Sequence, residues 1–122
     1  MPNKYNAKVG KREDLGNHFF RSSWEANFAR LLNYAEIEWE YEPRTFTFDD
    51  IQRGTTSYTP DFYLPKFDKW IEIKGWMDKK SKLKIERFRK RYPDESSKLV
   101  IITAAEYKYF DKIFKSKIDG WE

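Results

Sequence analysis

Two short runs of alternating apolar residues, 58–64 and 69–74, stand on either side of a brief charged gap. Runs so close together pair as an antiparallel hairpin. Side chains on a strand alternate between its two faces. Ile71 and Ile73 therefore share one face, and Glu72 and Lys74 the other. On the first run Phe62 and Leu64 form one face, with Asp61 and Tyr63 opposite. If Phe62, Leu64, Ile71 and Ile73 face the core, Asp61, Glu72 and Lys74 meet on the other side. Two carboxylates and an ammonium then occupy one patch of sheet.

The remaining segments arrange themselves around this hairpin. Residues 22–36 carry Trp24, Phe28, Leu31, Leu32 and Ala35 at helical spacing. Ser22 and Glu25 have the form of a capping box at its start. Residues 37–48 alternate Ile37, Trp39 and Tyr41 with acids, and Pro43 interrupts before Phe46 and Phe48. A polar turn carrying Arg53 follows. Asp78 is a plausible cap for a helix over 79–92, which Pro93 stops. That helix has a weak apolar stripe of Leu83, Phe88 and Tyr92 and is otherwise strongly basic. Residues 98–103 are continuously apolar, as in a strand buried on both faces. Residues 104–117 read as a last helix, with Tyr107, Phe110, Ile113 and Phe114 as its stripe.

The order is α-β-β-β-α-β-α. The helix between the third and fourth strands implies a right-handed crossover and a parallel pair. The fold class is α/β, a small mixed sheet flanked by helices. A chain of 122 residues supports one such domain, over residues 21–122. Residues 1–20 are polar, carry Lys4, Lys8, Lys11 and Arg12, and read as a loosely packed basic arm. His18, the only histidine, reads as an incidental residue of that arm. The absence of cysteine excludes a disulfide framework, a thiolate zinc site and a cysteine nucleophile, and fits a cytoplasmic setting. No apolar run approaches the ~20 residues of a membrane span.

Carboxylates without histidine or cysteine nearby are hard oxygen ligands that suit Mg2+, or Mn2+ in its place, rather than zinc. Such an ion polarises a phosphodiester and activates water, and a neighbouring ammonium offsets the charge that develops. The basic helix just past Gly75 points to a polyanion as substrate, with Lys79, Lys80 and Lys82 as phosphate contacts. The competing reading of Glu72 and Lys74 is a solvated charge pair on an open sheet face, worth less than about 1 kcal/mol.

Pro60-Asp61 followed by Glu72-Ile73-Lys74 resembles the PD-(D/E)xK nuclease signature. The resemblance is wider than the motif. Phe20-Arg21-Ser22-Ser23-Trp24-Glu25 before a helix, then residues 37–42, 58–65 and 71–75, are similar in succession and spacing to phage endonuclease I type Holliday junction resolvases. This likeness implies a restriction-endonuclease-like core and a homodimer acting on branched DNA. It implies Asp61, Glu72 and the Ile73 carbonyl as metal ligands, Lys74 as the water-orienting lysine, and Glu25 as an added acid beside the metal. It places Arg21 and Ser23 near the DNA backbone. Arg53, in the polar turn, is a further candidate DNA contact. Residues 45–57 correspond to the bridge through which such dimers exchange strands. A sequence-specific restriction, homing or nicking nuclease remains an alternative with the same chemistry. A DNA-binding module without catalysis is a third.

Overall fold

The computed structural model describes residues 9–122. It is a mixed α/β fold. A four-stranded sheet has the order β3 (Glu40–Tyr41), β6 (Phe62–Leu64), β7 (Lys69–Lys74), β8 (Leu99–Thr103). The first three strands are antiparallel, and β7 and β8 are parallel. Helix α2 (Lys79–Arg91) and the short α3 (Pro93–Ser96) connect that parallel pair. Helix α1 (Ser23–Tyr34) precedes the sheet and α4 (Ala104–Phe114) follows it.

In the hairpin, Phe62 pairs with Ile71, Tyr63 with Trp70, and Leu64 with Lys69. Phe62 and Leu64 share a face with Ile71 and Ile73, as alternation predicts, but only residues 62–64 of the run 58–64 pair here, and residues 57–58 join a separate ribbon. Strand β7 is covered on both faces, because Trp70, Ile71, Glu72 and Ile73 are all buried. One face packs Phe62, Leu64, Ile71 and Ile73 against Phe28 and Leu32 of α1 and Tyr107 of α4. The other packs Trp70 against Phe46, Phe48, Tyr58, Ile85 and Phe88. Each fully buried ring contributes roughly 2–3 kcal/mol of hydrophobic stabilisation, so these rings fix α1 and α4 on one side of the sheet and α2 on the other.

Four expectations need correction. The first concerns the loosely packed arm. Residues 1–8 lie outside the described residues, but β1 (Gly10–Arg12) and β2 (His18–Phe20) form an antiparallel hairpin. Leu15 and Phe20 are buried in the core and Arg12 is buried by ion pairing, so this segment belongs to the domain. His18 lies exposed beside the Trp39 ring, at 5.3 Å. The second concerns β8. It lies at the sheet edge and is covered only in part, with Ile102 buried on one face, Leu99 and Ile101 half-buried on the other, and Val100 exposed. The third concerns α2, which buries Ile85 and Phe88 while Leu83 is only half-buried. The fourth concerns residues 37–48. Only Glu40 and Tyr41 join the main sheet, and β4 (Phe46–Thr47) pairs instead with β5 (Ser57–Tyr58) as a separate ribbon. Within one chain, the segment 45–57 therefore closes on itself, with Phe46 and Phe48 buried in that chain's own core.

Among the described residues no helix is long and apolar enough to cross a membrane.

Candidate functional site

Helix α1 begins where Ser22 takes an extended conformation and its hydroxyl accepts the Glu25 N–H. This frees the Glu25 side chain to leave the helix surface and meet Tyr41 of β3, whose hydroxyl donates to the carboxylate. Asp61 lies just ahead of β6. Its Oδ2 accepts the Ile73 N–H at 2.7 Å, and its backbone carbonyl accepts the Glu42 N–H at 2.8 Å. Glu72 points to the α2 side of the sheet and accepts the Tyr58 hydroxyl at 2.7 Å. Each tyrosine occupies one lone pair of a carboxylate and so fixes its rotamer, as outer-shell partners do around metal ligands.

Glu25, Asp61, Glu72 and Lys74, drawn from α1, the approach to β6, and β7, line one cleft of about 540 Å³. Arg21 lines it too, with Nε donating to Glu42 Oε2 at 2.8 Å. The other DNA-contact expectations fare differently. Ser23 is buried and donates to Glu122 at 3.0 Å, away from the cleft. Arg53 is exposed in the loop between β4 and β5 and does not line the cleft. Lys79, Lys80 and Lys82 are exposed on α2, whereas Ser81, Lys84 and Ile85 form the wall. Residues 81, 84, 85 and 88 recur at helical spacing, so the helix that buries Phe88 must turn Lys84 toward the cleft.

Glu42 was not among the sequence candidates. Carboxylate oxygens of Glu25, Glu42 and Asp61 all lie within 4.8 Å of one another, a grouping able to hold a metal ion. Glu72 lines the same cleft but stands outside this group, so Asp61 belongs to both acidic sets. In sequence Glu42 resembles its neighbours Glu36, Glu38 and Glu40, a solvated acidic face. Only the pairing of Tyr41 with Phe62 reveals it, because the next position in that register sets Glu42 opposite Asp61.

The electrostatics follow from burial. Desolvation pushes Asp61 well above the usual carboxylate range, and the nearby Glu72 and Glu25 push it further. Desolvation raises Glu72 to about 7, despite the Tyr58 hydrogen bond and the Lys74 ammonium. Glu25 rises for the same first reason, with the Tyr41 hydrogen bond opposing. The cleft holds four carboxylates against the three cations Arg21, Lys74 and Lys84. Buried like charges of this kind call for a proton or a cation. All donors are hard oxygens, so the group fits Mg2+ or Mn2+.

A stability prediction arises here. A carboxylate whose folded pKa is raised stabilises the fold below its unfolded pKa, and that stability is lost as pH climbs through the folded value. For Glu72 the window runs from 4.5 to about 7, and Asp61 and Glu25 act in the same direction. A gap of that size corresponds to ~3 kcal/mol for Glu72 alone. The metal-free protein is expected to melt at progressively lower temperature as pH rises across this window, with saturating Mg2+ recovering the loss at pH 8. Melting curves in EDTA and in Mg2+ check this. A flat metal-free profile would contradict the buried-charge account.

No family model, curated protein or solved structure matches the chain. A fold alone does not imply a function, so the function has to be argued from the cleft.

Proposed function

We propose that this chain is a divalent-metal-dependent DNA endonuclease of the PD-(D/E)xK type, selective for branched DNA such as four-way junctions and acting as a homodimer. The observation that carries this reading is the convergence of Glu25, Asp61, Glu72 and Lys74 on a single cleft. The order of α1, the antiparallel β3, β6 and β7, α2 and the parallel β8 supports the core assignment. The branched substrate and the homodimer rest on the sequence resemblance.

Asp61 would hold the ion with Glu72, or with Glu25 and Glu42. A bound Mg2+ or Mn2+ supplies Lewis acidity toward the phosphodiester and lowers the pKa of water. The chain's own groups do the rest. Lys74 sits half-buried at the end of β7, two positions beyond Glu72, where its ammonium can orient the attacking water. The same charge offsets the negative charge that builds on the phosphoryl oxygens as the P–O bond to the leaving 3′-oxygen breaks. Tyr41 and Tyr58 hold Glu25 and Glu72 in place. Arg21, largely exposed and paired with Glu42, meets an incoming phosphate at the cleft mouth. Lys84 lines the wall, and the exposed Lys79, Lys80 and Lys82 extend the positive surface along the backbone.

Junction, flap, supercoiled plasmid and linear duplex, each assayed with Mg2+ and with EDTA, test the proposal together with Lys74→Met. Paired nicks in the junction in Mg2+ and none in EDTA are expected. Lys74→Met should lower the rate by about 10²–10³-fold, the usual cost of losing one charge-stabilising donor. Cleavage unaffected by EDTA, or full activity in Lys74→Met, would refute it. Cutting at one fixed sequence of linear duplex, with junctions ignored, would keep the chemistry and replace the substrate.

A further inference from the structure

The rim between β7 and α2 carries a feature that the metal chemistry does not use. Trp76 is 75% exposed, the most exposed large apolar side chain among the described residues. Single exposed apolar residues are ordinary, so its position has to carry the weight. The loop that bears it is anchored at both ends and from below. Lys74 pairs with Thr103 in the sheet and lines the cleft. Asp78 caps α2 by accepting the Ser81 N–H at 2.7 Å, and Ser81 lines the cleft as well. The neighbouring Met77 packs against the core cluster on that face. Trp76 is thus exposed on a loop fixed at both ends, two positions after Lys74 and three before the exposed pair Lys79 and Lys80. Phe67, another exposed ring, sits in the turn at the far end of β7.

An aromatic plane set among cations is the arrangement that binds an unstacked base while the cations hold its phosphates. A continuous duplex conceals the faces of its bases against each other. A junction, flap or gap exposes one. Resting on the nuclease reading above, we infer that Trp76 is a stacking platform for an unpaired nucleobase where a DNA duplex is interrupted. The cleft's preference for interrupted DNA over continuous duplex then comes from this ring, whereas the lysines bind both.

The experiment is a comparison of affinities in Ca2+, which favours binding over cleavage because its looser coordination positions water poorly. Fluorescence anisotropy gives Kd for a four-way junction, a one-nucleotide gap and a linear duplex of equal length. The ratio of duplex Kd to junction or gap Kd is the readout. Trp76→Ala is expected to lower that ratio by about tenfold or more, the loss of one base–aromatic stack. Trp76→Phe should retain most of it, and Trp76→Leu, apolar but without a π-face, should not. An equal ratio in wild type, Trp76→Ala and Trp76→Leu would overturn the assignment while leaving the nuclease proposal intact. So would a shift in sedimentation on Trp76→Ala, which would place the ring between two copies of the chain. Failure of wild type to bind any of the DNAs would instead remove the nuclease reading itself.

Discussion

Asp61→Asn is expected to abolish DNA cleavage and, in the same protein, to raise the melting temperature measured in EDTA. The two effects have one origin. Asp61 is shared by both acidic sets in the cleft, so its charge is the one that either arrangement of a bound cation needs. Even outer-shell partners of a metal typically cost 10–100-fold when removed, so losing the shared carboxylate should cost at least ~100-fold in rate. The same charge is a burden when no cation is present. Asp61 is buried, its pKa is held high first by desolvation and then by Glu72 and Glu25, and the Ile73 N–H and the Lys74 ammonium oppose this. The asparagine carbonyl oxygen can still accept the Ile73 N–H, now made to Oδ2 at 2.7 Å, so the β6–β7 geometry survives. Removing the repulsion should raise the metal-free melting point at pH 8 by on the order of 5 °C. Asparagine is the informative choice. Alanine would also remove the carboxylate oxygen that accepts the Ile73 N–H at 2.7 Å, and so would mix the loss of a buried hydrogen bond with the loss of the charge. Activity within tenfold of wild type, or a lower melting point in EDTA, would show that Asp61 is not the centre of the site.

What the sequence revealed of this site, and what it did not, divides along a physical line. Alternation fixes which side chains share a face, and two runs joined by a short turn have little freedom in register. The grouping of Asp61, Glu72 and Lys74 therefore follows from the chain itself. Ser22-Ser23-Trp24-Glu25 reads as a capping box, of which the structure shows the Ser22 half, and the place of the Glu25 side chain in the cleft depends on where α1 crosses the sheet. Glu42 was hidden because the two-residue strand β3 has no periodicity long enough to set its register with β6. Lys84 was hidden because seven other cations on α2 and at its start look alike until Ile85 and Phe88 are seen to define the buried face. The apolar run of β8 read as a strand buried on both faces, because Leu, Val and Ile give no sign of how fully the neighbouring helices cover it. The order of α1, strands, α2, β8 and α4 was legible, α1 and α4 from helical spacing, the strands of the hairpin from alternation, α2 from Asp78 at its start and Pro93 at its end, and β8 from a continuous apolar run. The hairpin at residues 10–20 was not, because its buried apolar residues Leu15 and Phe20 show no local period and the ion pairs that join it to the domain are long-range.

Those ion pairs carry the second large effect. Arg30 of α1 is 5% exposed and satisfies its guanidinium four ways. It donates to Asp14 Oδ2 at 2.7 Å and Oδ1 at 3.1 Å, to Asn27 Oδ1 at 2.9 Å, and to Glu122 Oε2 at 2.9 Å. Arg12 of β1 holds the same Glu122 carboxylate through Nε at 2.5 Å, and the Ser23 hydroxyl donates to it at 3.0 Å. Asn27 closes the network by exchanging two hydrogen bonds with the Glu122 backbone, each at 3.0 Å. The N-terminal hairpin, α1 and the tail after α4 are thus joined through one guanidinium. Arg30→Met keeps the apolar stem but leaves Glu122 with Arg12 as its one ion-pair partner among the described residues and Asp14 without its fork. Breaking a buried pair from one side typically costs 3–5 kcal/mol, so a fall in melting temperature on the order of 10 °C is expected. Arg30→Lys should recover only part of this, because a point charge cannot bridge Asp14 and Glu122 as a planar fork does. Burial opposes ionisation of Glu122, yet the Arg12, Arg30 and Ser23 hydrogen bonds outweigh it and hold the carboxyl below its usual range. Asp14 is lowered as well, chiefly by its hydrogen bond to Arg30. A lowered carboxylate contributes stability above its unfolded pKa and loses it as pH falls through the folded value. The deficit of Arg30→Met should therefore be full at neutral pH and shrink below about pH 4. Chemical denaturation of wild type, Arg30→Met, Glu122→Gln and the double variant separates the pair from its surroundings. A loss under about 1 kcal/mol, additive in the double variant, would mean that the cluster behaves as a surface ion pair and does not secure the hairpin to the domain.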